Sequence, residues 1–255
     1  MAGSVWVILP TYDEAGNLEA VVAGVRSALP AAHVLVVDDA SRDGTAELAD
    51  ALAGRDPQVH VLHRDRKDGI GRAYTAGFAE ALAHGADFLV EMDADLSHDP
   101  ADLPRLAAAA EAGADLVLGS RYVPGGGVEN WGLDRRVLSR FGCAYARRVL
   151  GVGVRDLTGG FKCFRAAALL TVDYPSAGAQ GYAFQVELTW RALRMGLHVV
   201  EVPITFRERR HGRSKMSARI AREAVWRVPA LRFGPGRWRG LVPEAPSADP
   251  VAHEG

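Results

Sequence analysis

The sequence predicts an α/β fold: a single large domain whose mostly parallel central sheet is flanked by helices, followed by a C-terminal helix and a disordered tail. Short apolar runs alternate with segments of helical length, which is the pattern of strands joined by right-handed crossovers. Several of these runs end in acidic or glycine-containing loops. A chain of 255 residues is long enough to bury a sizeable core.

The predicted strands are short apolar runs bounded by turn residues, which is typical of buried strands in a parallel sheet. Pro203 lies in the last run and places that strand at an edge of the sheet or at its own end, because proline cannot donate to a strand ladder. The predicted strands are residues 5–9, 33–37, 59–62, 88–92, 115–119 and 199–204.

The predicted helices lie between these strands. Pro100 favours a helix start, because proline is well tolerated in a first turn, and Gly85 suits the C-terminal cap of the helix before it. The other predicted helices cover residues 18–28, 45–53, 73–84, 135–150 and 185–194.

The C-terminal part of the chain differs in texture from the rest. Residues 217–231 mix apolar and arginine side chains, which favours a helix that either lies on a membrane or packs on the core with its arginines in water. Residues 243–255 lack periodicity and predict a disordered tail. The predicted division is therefore 1–215 for the main domain, 216–240 for an amphipathic segment and 241–255 for the tail.

Composition excludes several classes of protein. The net charge of −1 argues against non-specific nucleic-acid binding. The two cysteines, Cys143 and Cys163, predict a reducing compartment and no disulfide framework. The chain shows neither a signal peptide at its start nor an apolar run of about 18 residues, so we expect a soluble or peripheral protein.

The strongest local signal is a pair of carboxylates at the end of the fourth predicted strand, Asp93 and Asp95. Ligands of open α/β sheets bind beyond the carboxyl ends of the strands, and two close carboxylates favour a hard cation such as Mg²⁺ or Mn²⁺. The alternative is a solvated acidic loop. Neither a G-x-G-x-x-G motif after the first strand nor a P-loop is present, which disfavours dehydrogenases and P-loop enzymes.

Three motifs in order make the chain resemble the inverting family 2 glycosyltransferases of the GT-A fold. They are Pro-Thr-Tyr-Asp-Glu at 10–14, Val-Asp-Asp-Ala-Ser-Arg-Asp-Gly-Thr at 37–45 and Met-Asp-Ala-Asp at 92–95. The segments 119–122, 156–161, 181–187 and 209–215 are similar to the narrower group of dolichol- or polyprenol-phosphate mannose synthases. The resemblance covers residues 5–215.

The resemblance implies a set of site residues. The implied metal ligands are Asp93 and Asp95, and these with Arg121 form the implied catalytic set. The implied substrate-binding residues are Pro10, Tyr12, Glu14, Val37 and Asp39 around the nucleoside, Asp93, Ala94 and Asp95 at the nucleotide sugar, and Arg121, Arg209 and Lys215 at the phosphates.

Two positions remain open at this point. Some relatives have a metal-binding glutamine where this chain has Ser97, so a contribution of residue 97 to the metal site is open. Glu187 either orients groups on the acceptor side or forms a structural salt bridge.

The resemblance implies transfer of mannose from GDP-mannose to the phosphate of a polyprenyl lipid, with inversion and with Mg²⁺ or Mn²⁺ as cofactor. It also implies work on the cytoplasmic face of a membrane, with peripheral contact through residues 217–231 and a membrane-embedded anchoring partner. The rival hypotheses are a polyprenyl-phosphate glucosyltransferase using UDP-glucose, transfer to another acceptor, and a non-enzymatic nucleotide-binding module.

Overall fold

The computed structural model describes residues 3–177, 181–208 and 218–234. The strands are β1 Val5–Thr11, β2 His33–Asp38, β3 Val59–His63, β4 Phe88–Glu91, β5 Leu116–Ser120, β6 Gly127–Val128, β7 Lys162–Arg165, β8 Val199–Pro203 and β9 Thr205–Phe206. The helices are α1 Ala15–Ala28, α2 Thr45–Ala53, α3 Ile70–Ala83, α4 Leu103–Glu111, α5 Leu133–Leu150, α6 Ala166–Thr171, α7 Tyr182–Arg194 and α8 Ala218–Phe233.

Seven strands form the central sheet in the order β3-β2-β1-β4-β7-β5-β8, and β6 pairs with β9 in a small second sheet. Each neighbouring pair in the central sheet is parallel, except for the two pairs that involve β7. The mostly parallel sheet predicted from the sequence is therefore confirmed. β8 is an edge strand and ends at Pro203, as the missing amide of proline requires.

β7 was not predicted from the sequence. This strand runs antiparallel between β4 and β5, with Lys162 opposite Glu91. Its four residues, Lys-Cys-Phe-Arg, are too few and too polar at their ends to form a recognisable apolar run. Its position matters because it separates the carboxyl end of β4 from that of β5.

Both faces of the sheet are covered by helices. The core on one face is closed by α3 and α7, and the core on the other face by α1 and α4. Helix α3 lies very close to the sheet at Gly77, where an added Cβ would be only 2.6 Å from Cγ2 of Ile8. Glycine is required there for this close approach of helix and strand.

Most predicted helix boundaries agree with the structure to within three residues. Helix α1 begins at Ala15 and α3 at Ile70, each three residues before the predicted start. Pro100 begins a 3-10 turn of three residues, Pro100–Asp102, and α4 follows at Leu103. None of the described helices is both long and apolar enough to cross a membrane.

Helix α8 packs against α5 and α7, and its Val228 is buried. Part of the predicted segment 216–240 therefore contacts the main domain, and the proposed division of the chain stays a prediction. Arg209, Lys215 and the predicted tail at 241–255 lie outside the described residues.

Candidate active site

The three loops that contain the sequence motifs lie side by side at the carboxyl ends of the parallel strands. They follow β1, β2 and β4, which are neighbours in the order β2-β1-β4. Each loop holds one non-glycine residue in the left-handed region, namely Asp13 at φ 55°, Ala40 at φ 57° and Leu96 at φ 62°. Such conformations are costly for residues with a side chain and concentrate at functional sites.

The loops after β1 and β2 are hydrogen-bonded to each other. The backbone amide of Asp13 donates to Oγ of Ser41 at 2.9 Å, and the amide of Arg42 donates to Oδ1 of Asp13 at 2.9 Å. The amide of Ala15, the first residue of α1, donates to Oδ2 of Asp43 at 3.0 Å. The polar residues of the second motif therefore fix the shape of the first loop.

The two adjacent acids after β2 have different surroundings. Asp38 accepts hydrogen bonds from the hydroxyl of Thr11 at 3.1 Å and from the amide of Ser41 at 3.0 Å, so it stabilises the loop. Asp39 is buried and pairs with Arg64, which follows β3. Burial raises the pKa of Asp39, and Arg64 opposes that rise. Arg64 was not predicted as a site residue, because an isolated arginine after a strand forms no recognisable motif.

Tyr12 presents its ring to a lysine. The Nζ atom of Lys67 lies 3.5 Å above the centroid of the Tyr12 ring, in cation–π geometry. A second cation from the loop after β3 thus stands beside the predicted nucleoside residues.

The other residues predicted around the nucleoside are placed differently from one another. Glu14 accepts a hydrogen bond from Nδ2 of Asn17 at 2.9 Å. Pro10 is half-buried at the end of β1. The side chain of Val37 is fully buried in the core beneath α3, so a contact from Val37 to a ligand would use its main chain. These roles stay predictions.

The loop after β4 is held from several sides. The amide of Asp93 donates to Nδ1 of His98 at 3.2 Å, and the amide of Ser97 donates to Oδ1 of Asp95 at 3.0 Å. Asp93 is half-buried, whereas Asp95 and Ala94 are buried. The two acids thus lie in a tight, fixed turn rather than on an extended strand.

His98 was missed by the sequence analysis, although it occupies the centre of this loop. It is 1% exposed, stacks on Phe161 at 4.9 Å between ring centroids and meets the edge of Phe206 at 5.2 Å. Burial lowers the pKa of His98 to about 4, so the ring is neutral near pH 7. Because Nδ1 accepts the Asp93 amide, the ring proton resides on Nε2.

A buried acid and a buried base lie on neighbouring strands next to this loop. Glu91 and Lys162 are opposite each other on β4 and β7, and neither is exposed. Burial raises the pKa of Glu91 to about 7, and Lys162 opposes the rise. Burial likewise lowers the pKa of Lys162 to about 8, against the attraction of Glu91. Neither residue is recognisable from the sequence, because β7 itself was not predicted.

Arg121 is held by a bidentate ion pair. Its Nε and Nη2 atoms donate to the Asp156 carboxylate at 2.7 and 2.6 Å, and Nη2 also donates to Thr158 at 2.9 Å. The guanidinium is 5% exposed and lies near the rings of Tyr122, Trp131 and Phe206. Contact of Arg121 with a phosphate stays a prediction.

The donor set at the β4 loop fits a cation that shares its ligands with a substrate. Among the residues that the structure describes, no group of three or more His, Cys, Asp or Glu side chains is arranged to hold a metal ion. Asp93 and Asp95 supply two carboxylates, and Mg²⁺ or Mn²⁺ commonly completes its shell with waters and substrate phosphates. Oγ of Ser97 is buried and has no hydrogen-bond partner within the described part of the chain.

Glu187, whose role was left open, forms an ion pair with Arg191 one helical turn later in α7. Both side chains are buried, and Arg191 also donates to the carbonyls of Val172 and Asp173 at 3.0 and 2.8 Å. These contacts favour the structural salt bridge.

Helix α5 borders the site on the side of Arg121. Arg135 lies 4.1 Å above the Trp131 ring and pairs with Glu208 at 3.1 Å. The first half of α5 exposes four large apolar side chains, which we call the α5 apolar patch: Leu133, Val137, Leu138 and Phe141, between 49 and 78% exposed. The amphipathic surface predicted from the sequence lies at 217–231, and the α5 apolar patch was not predicted.

Comparison with known proteins gives close relatives and distant structural neighbours. The chain is 52% identical to polyprenol monophosphomannose synthase of Mycolicibacterium smegmatis, over 92% of this chain and 90% of the relative. It is 50% identical to undecaprenyl-phosphate mannosyltransferase of Micrococcus luteus, over 93% of this chain and 97% of the relative.

Among solved structures, the chain is similar to glucosyl-3-phosphoglycerate synthase of Mycobacterium tuberculosis. The complex with phosphoglyceric acid has a TM-score of 0.71 at 21% identity, covering 92% of this chain and 82% of the other. A complex of the same enzyme with Mn²⁺, UDP and glucosyl-3-phosphoglycerate has a TM-score of 0.70. At this identity the likeness establishes the fold alone.

The model of the family described as "Glycosyl transferase family 2" matches residues 6–172, which include the loops after β1, β2 and β4. With this match, and with two relatives at about half identity over nearly the whole chain, the protein belongs to glycosyl transferase family 2.

Proposed function

We propose that this enzyme transfers a mannosyl group from GDP-mannose to the phosphate of a polyprenyl lipid, with inversion at the anomeric carbon. The observation that carries the proposal is the agreement of the two relatives. Both are named for a polyprenyl phosphate and for mannose, and each matches more than nine tenths of this chain at 50% identity or more.

The order of the strands supports a binding mode for the donor. The nucleoside lies at the ends of β1 and β2, near Tyr12 and Asp39. The diphosphate lies at the end of β4, near Asp93 and Asp95. In the sheet, β4 is the next strand after β1. A nucleoside diphosphate that lies across the ends of these strands would therefore have its nucleoside at β1 and β2 and its diphosphate at β4.

The proposed reaction does not require the protein to act as a general base. A lipid phosphate is ionised near pH 7 and attacks without the general base that a sugar hydroxyl would need. The protein positions the two substrates and neutralises charge, which are the tasks of Arg121, Arg209 and Lys215 in this proposal. A bound divalent cation would neutralise the departing diphosphate.

The proposed cofactor is Mg²⁺ or Mn²⁺, held by Asp93 and Asp95. The solved glucosyl-3-phosphoglycerate synthase contains Mn²⁺ together with UDP, which supports a divalent cation without identifying the metal of this chain. The two-carboxylate donor set described above is also suited to these hard cations.

The lipid acceptor approaches along α5 in this proposal. The α5 apolar patch repeats at helical spacing and suits an isoprenoid chain or the edge of a bilayer. Arg136 and Arg140 lie on the same helix and suit phosphates or anionic headgroups. We place this contact on the cytoplasmic face, with a separate membrane-embedded partner as the anchor.

A product assay tests the proposed function. Purified protein, GDP-[¹⁴C]mannose, Mg²⁺ or Mn²⁺ and a polyprenyl phosphate should give radiolabel that extracts into organic solvent and is lost on chelation. Label from UDP-[¹⁴C]glucose, or transfer to an oligosaccharide, would establish the corresponding rival. No turnover with any of these pairs, together with nucleotide binding, would favour a binding module.

A further inference from the structure

The donor hexose must lie beyond the diphosphate. In the sheet order β2-β1-β4-β7, the nucleoside occupies the first two strand ends and the diphosphate the third. The next position is the start of β7, where residues 159–161 lead into Lys162. The antiparallel strand that the sequence did not predict therefore forms the floor where the sugar is expected.

A small space, large enough for one carbon or hydroxyl group, exists at this position beside Gly160. A Cβ built on Gly160 would lie 3.8 Å from Oδ1 of Asp93, 3.9 Å from Nε2 of Gln185 and 3.9 Å from Cε1 of His98. Gly160 is not among the residues with positive φ, so its backbone does not require glycine. Because a Cβ there would be in ordinary van der Waals contact with three polar side chains, the missing side chain of Gly160 leaves a space that fits one hydroxyl group.

Gln185 is the polar group of this space with unused hydrogen-bonding capacity. It lies in the first turn of α7 and is 5% exposed. Its Oε1 atom is buried and has no hydrogen-bond partner among the described residues. A buried amide oxygen without a partner is costly, and a ligand that donates to it would remove that cost.

The backbone carbonyl of Gln185 is held by hydrogen bonds from Lys162 and Thr189. Nζ of Lys162 donates to the Gln185 carbonyl at 2.7 Å and to Oγ1 of Thr189 at 2.9 Å, and Thr189 donates to the same carbonyl at 3.0 Å. The buried Lys162 thus connects β7 to α7 and holds the main chain of Gln185 in place.

We propose that Gln185 is a specificity-determining residue that hydrogen-bonds to a hydroxyl of the donor hexose in the space beside Gly160. This proposal rests on the proposed glycosyl transfer and identifies a sugar contact within it. A carboxamide both donates and accepts, so it matches a hydroxyl that does the same. A site built to pair a buried amide with a hydroxyl discriminates strongly against a sugar that lacks it.

The test compares the wild-type protein with Gln185→Met, which keeps the length of the side chain without its amide. Affinities for GDP and for GDP-mannose are measured by calorimetry with Mn²⁺ present. We expect the affinity for GDP to stay within twofold and that for GDP-mannose to fall about tenfold, the size of one lost hydrogen bond. Gln58→Met is the matched control, since Gln58 lies before β3 at the opposite edge of the sheet.

Deoxy analogues identify the hydroxyl. Transfer from GDP-mannose lacking one hydroxyl at a time should show one analogue that the wild type uses poorly but that Gln185→Met uses as well as GDP-mannose. Equal affinity of both proteins for GDP-mannose, or the same analogue preferences in both, would overturn the proposal. An equal loss for GDP and GDP-mannose would overturn it too, because it would show damage to the metal site.

Failure of the proposed function has a different signature. In that case the wild type itself would neither bind nor use GDP-mannose in preference to UDP-glucose. The same comparison would then be made with UDP, UDP-glucose and its deoxy analogues, and it would decide the role of Gln185 independently.

Discussion

Asp95 shows how the structure changes the meaning of a single residue. The sequence places it in a loop, where a carboxylate would be exposed, yet it is 6% exposed and accepts the Ser97 amide. A buried carboxylate is costly unless it is paired, and in the proposed site a bound cation would be a further partner besides the Ser97 amide. The residue therefore has both a structural and a predicted metal-binding role.

We predict that Asp95→Asn lowers the rate of transfer by about a thousandfold or more, because one ligand of the predicted metal is lost. Asparagine keeps the shape of the side chain and can still accept the Ser97 amide. Steady-state transfer and Mn²⁺ affinity, measured with GDP present, are the readouts. Asp93→Asn should be impaired similarly.

The control for this prediction is Asp65→Asn, an exposed acid in the loop after β3. Thermal melting of all three variants separates loss of metal from loss of fold. A near-normal rate in folded Asp95→Asn, with unchanged dependence on the metal, would remove Asp95 from the metal site.

At the scale of elements, α5 carries the most unusual surface of the described chain. Large apolar residues at 49–78% exposure on one helix cost solubility unless they are covered by something. The adjacent α8 also exposes Trp226 and Phe233, at 75 and 60%. The apolar face expected at 217–231 is therefore accompanied by a larger one on a neighbouring helix.

We predict that Val137→Ser combined with Phe141→Ser weakens binding to liposomes of anionic lipid at least fivefold, because two large apolar contacts with the bilayer are lost. Flotation measures binding at low and high salt. Transfer to a short-chain, water-soluble polyprenyl phosphate should change less than transfer to a long-chain lipid in vesicles.

The matched control is Leu170→Ser together with Ala167→Ser, on the exposed side of α6. Leu170 is 59% exposed but lies on a different helix. Equal binding of wild type and the α5 variant would show that the lipid is reached through another surface.

A second feature at this scale is a group of three histidines around Trp6, near the amino ends of β1 and β2 and the end of α3. His33 and His60 stack on Trp6 at 4.6 and 4.7 Å, and their Nδ1 and Nε2 atoms are 3.0 Å apart. His84 lies 5.4 Å from Trp6. The short contact requires one ring nitrogen to be an acceptor, so the pair cannot be doubly protonated without losing it.

Burial lowers the pKa of His33, and the nearby Arg26 and His84 lower it further. Burial also lowers the pKa of His60, as do His33 and His84. Glu80 and Asp56 oppose that change at His60. Because these pKa values lie below 6.5 in the folded state, the neutral pair stabilises the fold fully above that pH. This stabilisation is lost as the pH falls from 6.5 through the pKa values that His33 and His60 have in the folded state.

We therefore predict that the fall in Tm between pH 7.5 and pH 5.5 is smaller for His60→Phe than for the wild type. Phenylalanine keeps a ring against Trp6 and does not titrate. The comparison variant is His63→Phe, whose imidazole is exposed and pairs with Asp50. An equal fall in Tm for His60→Phe and wild type would show that the pair does not contribute.

At the scale of the whole molecule, the residues predicted to bind the donor and those predicted to bind the acceptor lie at different parts of the sheet. The strands from β3 to β4 carry the residues predicted to hold the donor, whereas β5, α5 and α8 lie on the side of the predicted acceptor. β7 and α7 lie between them, so the donor sugar and the acceptor phosphate are expected to meet there.

The sequence by itself determined the order of elements and the location of the donor-side loops. Apolar periodicity and turn residues report which segments are buried, and these are local properties that survive without knowledge of the partners. The parallel strands and the acidic loops after β1, β2 and β4 were predictable for this reason, and the family was predictable from the resemblance carried by the motifs in those loops. The roles predicted for Tyr12, Asp39, Asp93 and Asp95 are those that this resemblance implies.

The tertiary structure alone decided which distant residues meet. β7 lies between β4 and β5 and pairs with both of them, which its four residues do not indicate by themselves. Lys162 beside Glu91, Arg64 beside Asp39, and Gln185 beside Gly160 are each joined across many residues of chain. Burial within these contacts sets the charge and hydrogen-bonding state of each group, and burial is a property of the folded whole.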